Sequence, residues 1–251
     1  MTDRPALQLD TVGLQIGGAR ILRDVSFEVA RGEVVGVIGP NGAGKTTLFN
    51  IISGVMLPTS GRVLLGGQDV TRDKVHQRAR AGLGRTFQTS SVFPGLSAQE
   101  NVRLAAQSNL GGAASAWRFP RADDEASGIA ERCLTEVDLH HHRATQAGVL
   151  SHGDKRKLEI AMLVATEPEV VLLDEPMAGV GSGDVAGLIE VIRRLHESGR
   201  TVMMVEHHME VLLGLVDRVA VMHHGTLLAI DTPKAVMADP RVQQAYLGET
   251  A

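Results

Sequence analysis

The chain has 251 residues, 43% of them hydrophobic and 22% charged, with a mean hydropathy of +0.03. These are ordinary values for a chain that folds around a core, and they exclude long disorder and fibrous repeats. Lys and Arg number 25 against 29 Asp and Glu, a formal charge of −4, so no global field draws nucleic acid and no such partner is expected.

The length suits one large α/β domain, alone or with a subdomain. Cys133 is the single cysteine of the sequence, so neither an intrachain disulfide nor a cysteine-cluster metal site can be built from it. No apolar run approaches the ~20 residues that span a bilayer. Asp3 and Arg4 are followed by no apolar stretch, so no secretory signal is read there and a cytosolic product is expected.

Apolar and polar residues alternate through Leu7–Leu14, which predicts a half-buried strand broken by Gly17-Gly18. Val25, Phe27 and Val29 alternate again. Arg31-Gly32-Glu33 then reads as a hairpin turn into Val34–Ile38, whose continuous apolar run suits a strand buried on both faces. An apolar-periodic helix follows at Leu48–Ile52. From about Gln107 to Glu125 the chain turns small and polar, which reads as a loop within a helical region. A helix over Leu158–Thr166 ends before Pro168 and leads to a second buried strand, Val170–Leu173. A helix over Val185–Ser198, stopped by Gly199, leads to a third, Thr201–Val205. Helices alternating with doubly buried strands predict a parallel sheet, preceded here by antiparallel strands.

Gly39-Pro40-Asn41-Gly42-Ala43-Gly44-Lys45-Thr46 fits the G-x-x-x-x-G-K-[ST] phosphate loop. Its glycines let the backbone curl so that N–H groups point at phosphate oxygens, while the next helix offers its positive end. Lys45 would reach the β- and γ-phosphates, and the Thr46 hydroxyl, with Thr47 beside it, would face Mg²⁺. The metal also needs an anionic anchor at the end of a neighbouring strand. Asp174 supplies it after Val170–Leu173, and Glu175, one residue on, is placed to act as general base on the attacking water. The pairs and triplets of histidine at 140–142, 207–208 and 223–224 are poor chelators, because adjacent side chains point apart.

Taken together these motifs resemble the ATP-binding subunit of ABC transporters over nearly the whole chain. Arg85-Thr86-Phe87-Gln88 looks like that family's Q-loop, Leu150-Ser151-His152-Gly153-Asp154 stands where its signature belongs, and His207 resembles its switch histidine. The resemblance implies an α/β P-loop NTPase fold, an ABC cassette with a parallel core sheet, an N-terminal antiparallel β subdomain and an inserted helical subdomain. The whole chain, 1–251, would then be one ATP-binding domain, with core and β subdomain at about 1–87 and 162–251 and the helical part at about 88–161. Arg156, Leu158-Glu159-Ile160-Ala161, Ala178-Gly179 and Gln244-Ala245-Tyr246-Leu247-Gly248-Glu249 look like the branched-chain amino-acid importer cassettes. Urea or amide importers and the lipopolysaccharide-export ATPase share part of this pattern. A soluble ABC ATPase of translation or DNA repair is the rival from another class.

The resemblance implies ATP and Mg²⁺ as cofactors, with Gln88 beside the metal and its water and His207 on the γ-phosphate side. Ser151 and Gly153 would contact ATP held by a second cassette, identical or paralogous. Ser151-x-x-Asp154 is equally the pattern of a helix N-cap, and the two roles are compatible. Two membrane permease subunits and, indirectly, a substrate-binding protein complete the implied assembly at the cytoplasmic face of the membrane. The stretch Thr89–Asn101 would cradle a short permease helix. Three positions depart from the family pattern. Ile16 replaces the usual adenine-stacking aromatic, His208 replaces an acidic residue, and Val180-Gly181-Ser182-Gly183-Asp184 lacks the subgroup's proline.

Overall fold

The computed structural model of the protein describes residues 4–86, 92–110, 124–206 and 208–247. Its strands, in chain order, are β1 (Leu7–Ile16), β2 (Ala19–Val29), β3 (Val34–Ile38), β4 (Ser60–Leu65), β5 (Gln68–Asp69), β6 (Leu83–Arg85), β7 (Val170–Asp174), β8 (Thr201–Val205), β9 (Arg218–His223) and β10 (Thr226–Asp231). The chain divides into two compact units, the first formed by 1–85, 169–175 and 196–251, the second by 86–168 and 176–195. The second unit therefore runs past residue 161 and takes in most of the helix Ser182–Glu197.

Among the described residues, all ten strands belong to the first unit. Four make an antiparallel sheet in the order β2-β1-β4-β5. Gly17 and Gly18, with φ of 52° and 90°, close the β1–β2 hairpin between the paired Ile16 and Ala19. The other six form a sheet ordered β10-β9-β3-β8-β7-β6, parallel except for the edge strand β10. β3, β7 and β8 are buried along their whole length, as continuous apolar strands with both faces covered must be.

The hairpin expected at Arg31-Gly32-Glu33 is not one. β2 ends in the antiparallel sheet, whereas β3 starts at the centre of the other, between β8 and β9. The turn itself is held as the sequence suggests, by Gly32 at φ 73°. Glu33 accepts from the Ala30 amide at 2.7 Å and pairs with Arg218, the first residue of β9. A local turn signal cannot report which sheet the next strand joins, since that depends on partners from far along the chain.

In the second unit three described helices begin at side-chain caps. Ser97 and Glu100 form a reciprocal capping box before Ala98–Asn109, Asp124 accepts from the Ser127 amide at 2.7 Å, and Ser151 accepts from the Asp154 amide at 3.0 Å. The expected loop over Gln107–Glu125 is bracketed by Asn109 and Glu125, and its 111–123 portion lies outside the described residues. Among the described residues no helix is long and apolar enough to cross a membrane.

One buried cation anchors the first unit. Arg78 is 0% exposed, and its guanidinium donates to the carbonyls of Ile51, Ile52 (2.7 Å), Thr71 (2.8 Å) and Asp73 (3.1 Å). Burial draws its pKa below the ordinary arginine value, with Asp73 and Asp69 opposing that shift. Two of the carbonyls are the last of the helix Lys45–Ile52, where the regular ladder runs out, and Ile51 also accepts from the Gly54 amide at 3.2 Å. Arg78→Met should therefore lower the urea unfolding free energy by about 3 kcal/mol, because several buried acceptors lose their donor at once.

Candidate nucleotide site

The loop between β3 and the helix Lys45–Ile52 is shaped by close approach. Gly39 has φ 151°, and a Cβ there would stand 2.2 Å from the Met222 carbonyl oxygen of β9. Gly44, at φ 99°, caps the helix with no side-chain hydrogen bond, and the first turn carries no acidic residue. A helix start without a side-chain cap offers its amides and its positive dipole end to an anion, so the residues present fit a phosphate group. Asn41, Gly42 and Thr46 are exposed, while Ala43 and Lys45 are buried. The Lys45 ammonium donates to the carbonyls of Gly39 and Pro40 (2.9 Å), which folds its stem back across the loop.

The parallel register brings the acidic pair to the same edge. Val37 of β3 and Asp174 of β7 both pair with Val205 of β8, so the C-terminal ends of all three strands are level. Asp174 is 1% exposed, and its Oδ2 accepts from Nη2 of Arg85 at 2.7 Å. Glu175 is half-buried and adopts φ 49°, a left-handed conformation that costs a non-glycine residue about 1–3 kcal/mol. Its amide donates to the Val205 carbonyl at 3.0 Å, so the chain turns sharply off the sheet at this residue.

The expected adenine-side residue, Ile16, ends β1 and is 51% exposed. Its hairpin reaches the phosphate loop, because a Cβ on Gly44 would stand 2.7 Å from a methyl carbon of Leu22 in β2. Gln88 and His207 lie outside the described residues. On either side of His207, the buried Glu206 meets the exposed His208, Nδ1 to Oε2, at 3.3 Å. Ser151 and Gly153 lie in the second unit. Ser151 is exposed and serves as the helix cap, while Gly153 is buried under Asp184, whose Cβ would stand 2.5 Å from an added Cβ. Sequence reasoning gives no role to Arg85, Asn50, Ser53 or Glu206. For Arg85 the available signal is a cation placed where the apolar pattern Leu83-Gly84 stops, at the end of a strand.

A profile of the ABC transporter family matches residues 22–178, more than half of the chain. The chain belongs to the ABC transporter family. A second profile, of the branched-chain amino acid ATP-binding cassette transporter, matches residues 226–251. The chain is 37% identical over 252 residues to the high-affinity branched-chain amino acid transport ATP-binding protein LivG of Escherichia coli (strain K12), covering 98% of this chain and 99% of that one. It is 40% identical over 229 residues to the lipopolysaccharide export system ATP-binding protein LptB of Acidithiobacillus ferridurans, 91% of each chain. A solved ATP-binding cassette of an ABC transporter in its ADP conformation has a TM-score of 0.84 at 29% identity, covering 97% of this chain and 99% of that one.

The α/β cassette fold expected from the sequence is therefore the observed one. ABC ATP-binding proteins are nucleotide-binding ATPases coupled to transport, and they work as paired cassettes with membrane permeases; this chain is of that class. If Ile16 faces the adenine, an aromatic ring at position 16 would add the base stacking that isoleucine lacks. Ile16→Tyr should lower the Kd for ATP about fivefold, roughly 1 kcal/mol of stacking. An unchanged Kd in a fluorescent-nucleotide displacement titration would remove Ile16 from the adenine side.

Proposed function

We propose that the chain powers the import of branched-chain or related amino acids, at the cytoplasmic face of the membrane, with a second cassette and two permease subunits. A substrate-binding protein would deliver the cargo. The observation that carries the chemistry is the level edge at which the phosphate loop meets Asp174 and Glu175. Support for the cargo class comes from the branched-chain profile over 226–251 and from the end-to-end match to LivG.

On this reading the amides from Gly39 to Thr47 cradle the phosphates of ATP, and Lys45 exchanges its two carbonyl partners for the β- and γ-phosphate oxygens. Thr46 and Gln88, with Asp174 acting through water, would hold Mg²⁺, which would supply positive charge to offset that of the phosphates. Glu175 takes the proton of the attacking water as its oxygen bonds to the γ-phosphorus, and the bond to the β–γ bridging oxygen breaks to leave ADP. His207 orients that water and the γ-phosphate. Ser151 and Gly153 of the sister cassette face the same γ-phosphate, so ATP binds best when the pair is closed and hydrolysis releases it. The cap formed by Ser151 suits this role, since its helix start is itself an anion-attracting end.

A cleft of about 480 Å³ in the second unit is lined in part by Gly148 and Lys155 and by Val92 and Pro94, which belong to the Thr89–Asn101 stretch expected to cradle the permease helix and whose first three residues lie outside the described ones. Exposed Phe93 and Val149 flank these lining residues in sequence.

Two measurements test the reading. Reconstituted with its permeases, the cassette should hydrolyse ATP faster when the binding protein carries leucine, isoleucine or valine. Stimulation by urea or lipopolysaccharide alone would replace the cargo assignment. Glu175→Gln should keep ATP affinity within about twofold while cutting turnover by at least about a hundredfold, the scale of a lost general base; turnover at the parent rate would move the base elsewhere.

A further inference from the structure

The guanidinium of Arg85 joins two parts of the nucleotide site that the sequence separates by more than a hundred residues. Its Nη2 donates to Oδ2 of Asp174 at 2.7 Å, and the two side chains are 8% and 1% exposed. Its Nη1 donates to Oδ1 of Asn50 at 2.9 Å and to Oγ of Ser53 at 2.7 Å. Asn50 lies in the helix that starts at Lys45, and Ser53 is that helix's C-cap. The Phe49 ring of the same helix lies 5.9 Å from the guanidinium carbon, within cation–π range.

A planar guanidinium holds its donors in a fixed fork, so the direction of the Asp174 carboxylate is tied to the helix that carries Lys45 and Thr46. The net stabilisation from such a buried pair is small, because desolvation offsets the attraction, whereas the geometry it imposes is definite. We infer that Arg85 is a positioning residue for metal-assisted nucleotide binding: it fixes the Asp174 carboxylate against the phosphate-loop helix and thereby sets how far Mg²⁺ tightens the hold on ATP. The inference rests on the assignment of Asp174 to the Mg²⁺ side in the proposed function.

A purely structural Arg85 would, when lost, lower the melting temperature and change ATP affinity equally with and without metal. A positioning Arg85 affects the metal-dependent part alone. The experiment measures the Kd for ATP of the full chain by fluorescent-nucleotide displacement, in EDTA and across a Mg²⁺ titration, alongside thermal melts. For Arg85→Met the expected result is a Kd in EDTA within about twofold of the parent and a Mg²⁺-dependent tightening reduced about tenfold, the scale seen when a metal ligand loses its supporting partner. Arg85→Lys, which restores the cation but not the fork, should recover part of that loss. The double variant Asn50→Ala, Ser53→Ala keeps the ion pair and cuts the tether, and should fall between the parent and Arg85→Met. Full Mg²⁺ tightening in a folded Arg85→Met protein overturns the inference, as does an equal fold-loss in EDTA and in Mg²⁺. Should Arg85→Met fail to fold, unchanged Mg²⁺ tightening in the double variant overturns it instead. Asp174→Asn, run in parallel, separates the two claims: tightening that survives it refutes the metal-side role of Asp174 whatever Arg85 does.

Discussion

The site depends on a short helix, Lys45–Ile52, whose two ends are treated in opposite ways. At the C-terminal end the buried Arg78 donates to the carbonyls of Ile51 and Ile52, adding to the amide bond that Ile51 already receives from Gly54. At the N-terminal end Gly44 provides no side-chain cap and no acid stands in the first turn. The usual economy of a helix is to satisfy its first amides with Ser, Thr, Asp or Asn, as the helices after Ser97, Asp124 and Ser151 do here. A helix start with neither a side-chain cap nor an acid in its first turn suits a ligand of opposite charge, as the proposed function requires.

The position of that helix follows from the sheet. β3 sits between β8 and β9, and the parallel pairing sets its C-terminal end level with those of β7 and β8. In open parallel sheets the ends of the strands are where a ligand meets loops from several strands at once. Two glycines then fix the approach. Gly39 passes the Met222 carbonyl at a distance that no Cβ would permit, and Gly44 passes Leu22 of the antiparallel hairpin. The phosphate loop is thus wedged between β9 on one side and β2 on the other, which ties the N-terminal hairpin to the edge of the other sheet.

Much of this is legible in the sequence because it is local. The phosphate loop, the doubly buried strands, the Gly17-Gly18 turn and the Ser151 cap each lie within a window of ten residues, where spacing and propensity act directly. The features that stay hidden are pairings across long separations. Arg31-Gly32-Glu33 has every mark of a hairpin turn, yet the choice of sheet for β3 is made by β8 and β9, more than 160 residues downstream. Arg85 belongs to the expected Q-loop run, but its bond to Asp174 spans 89 residues, and nothing near either residue announces it. Arg78 reads as one more surface cation on a polar helix until the carbonyls it meets are seen.

On the proposed reading, the adjacent carboxylates Asp174 and Glu175 take different tasks. Asp174 is the last residue of a fully buried strand, and one of its oxygens is committed to a guanidinium, so it is held in place by a cation on that side. Glu175 falls one residue beyond the ladder, where the left-handed backbone breaks the alternation of the strand and turns the chain away from the sheet. A carboxylate fixed by a cation suits a task that needs constant geometry, such as orienting a metal's water, whereas one at a turn, half-exposed, suits a task that needs a proton to arrive and leave. The strain carried at Glu175 is tolerated because both flanks are over-determined, the strand on one side and its amide bond to Val205 on the other. The different settings of the two carboxylates, on which the proposed division of labour rests, thus come from where the strand stops, which the sequence marks by the single step from an apolar run to two acids.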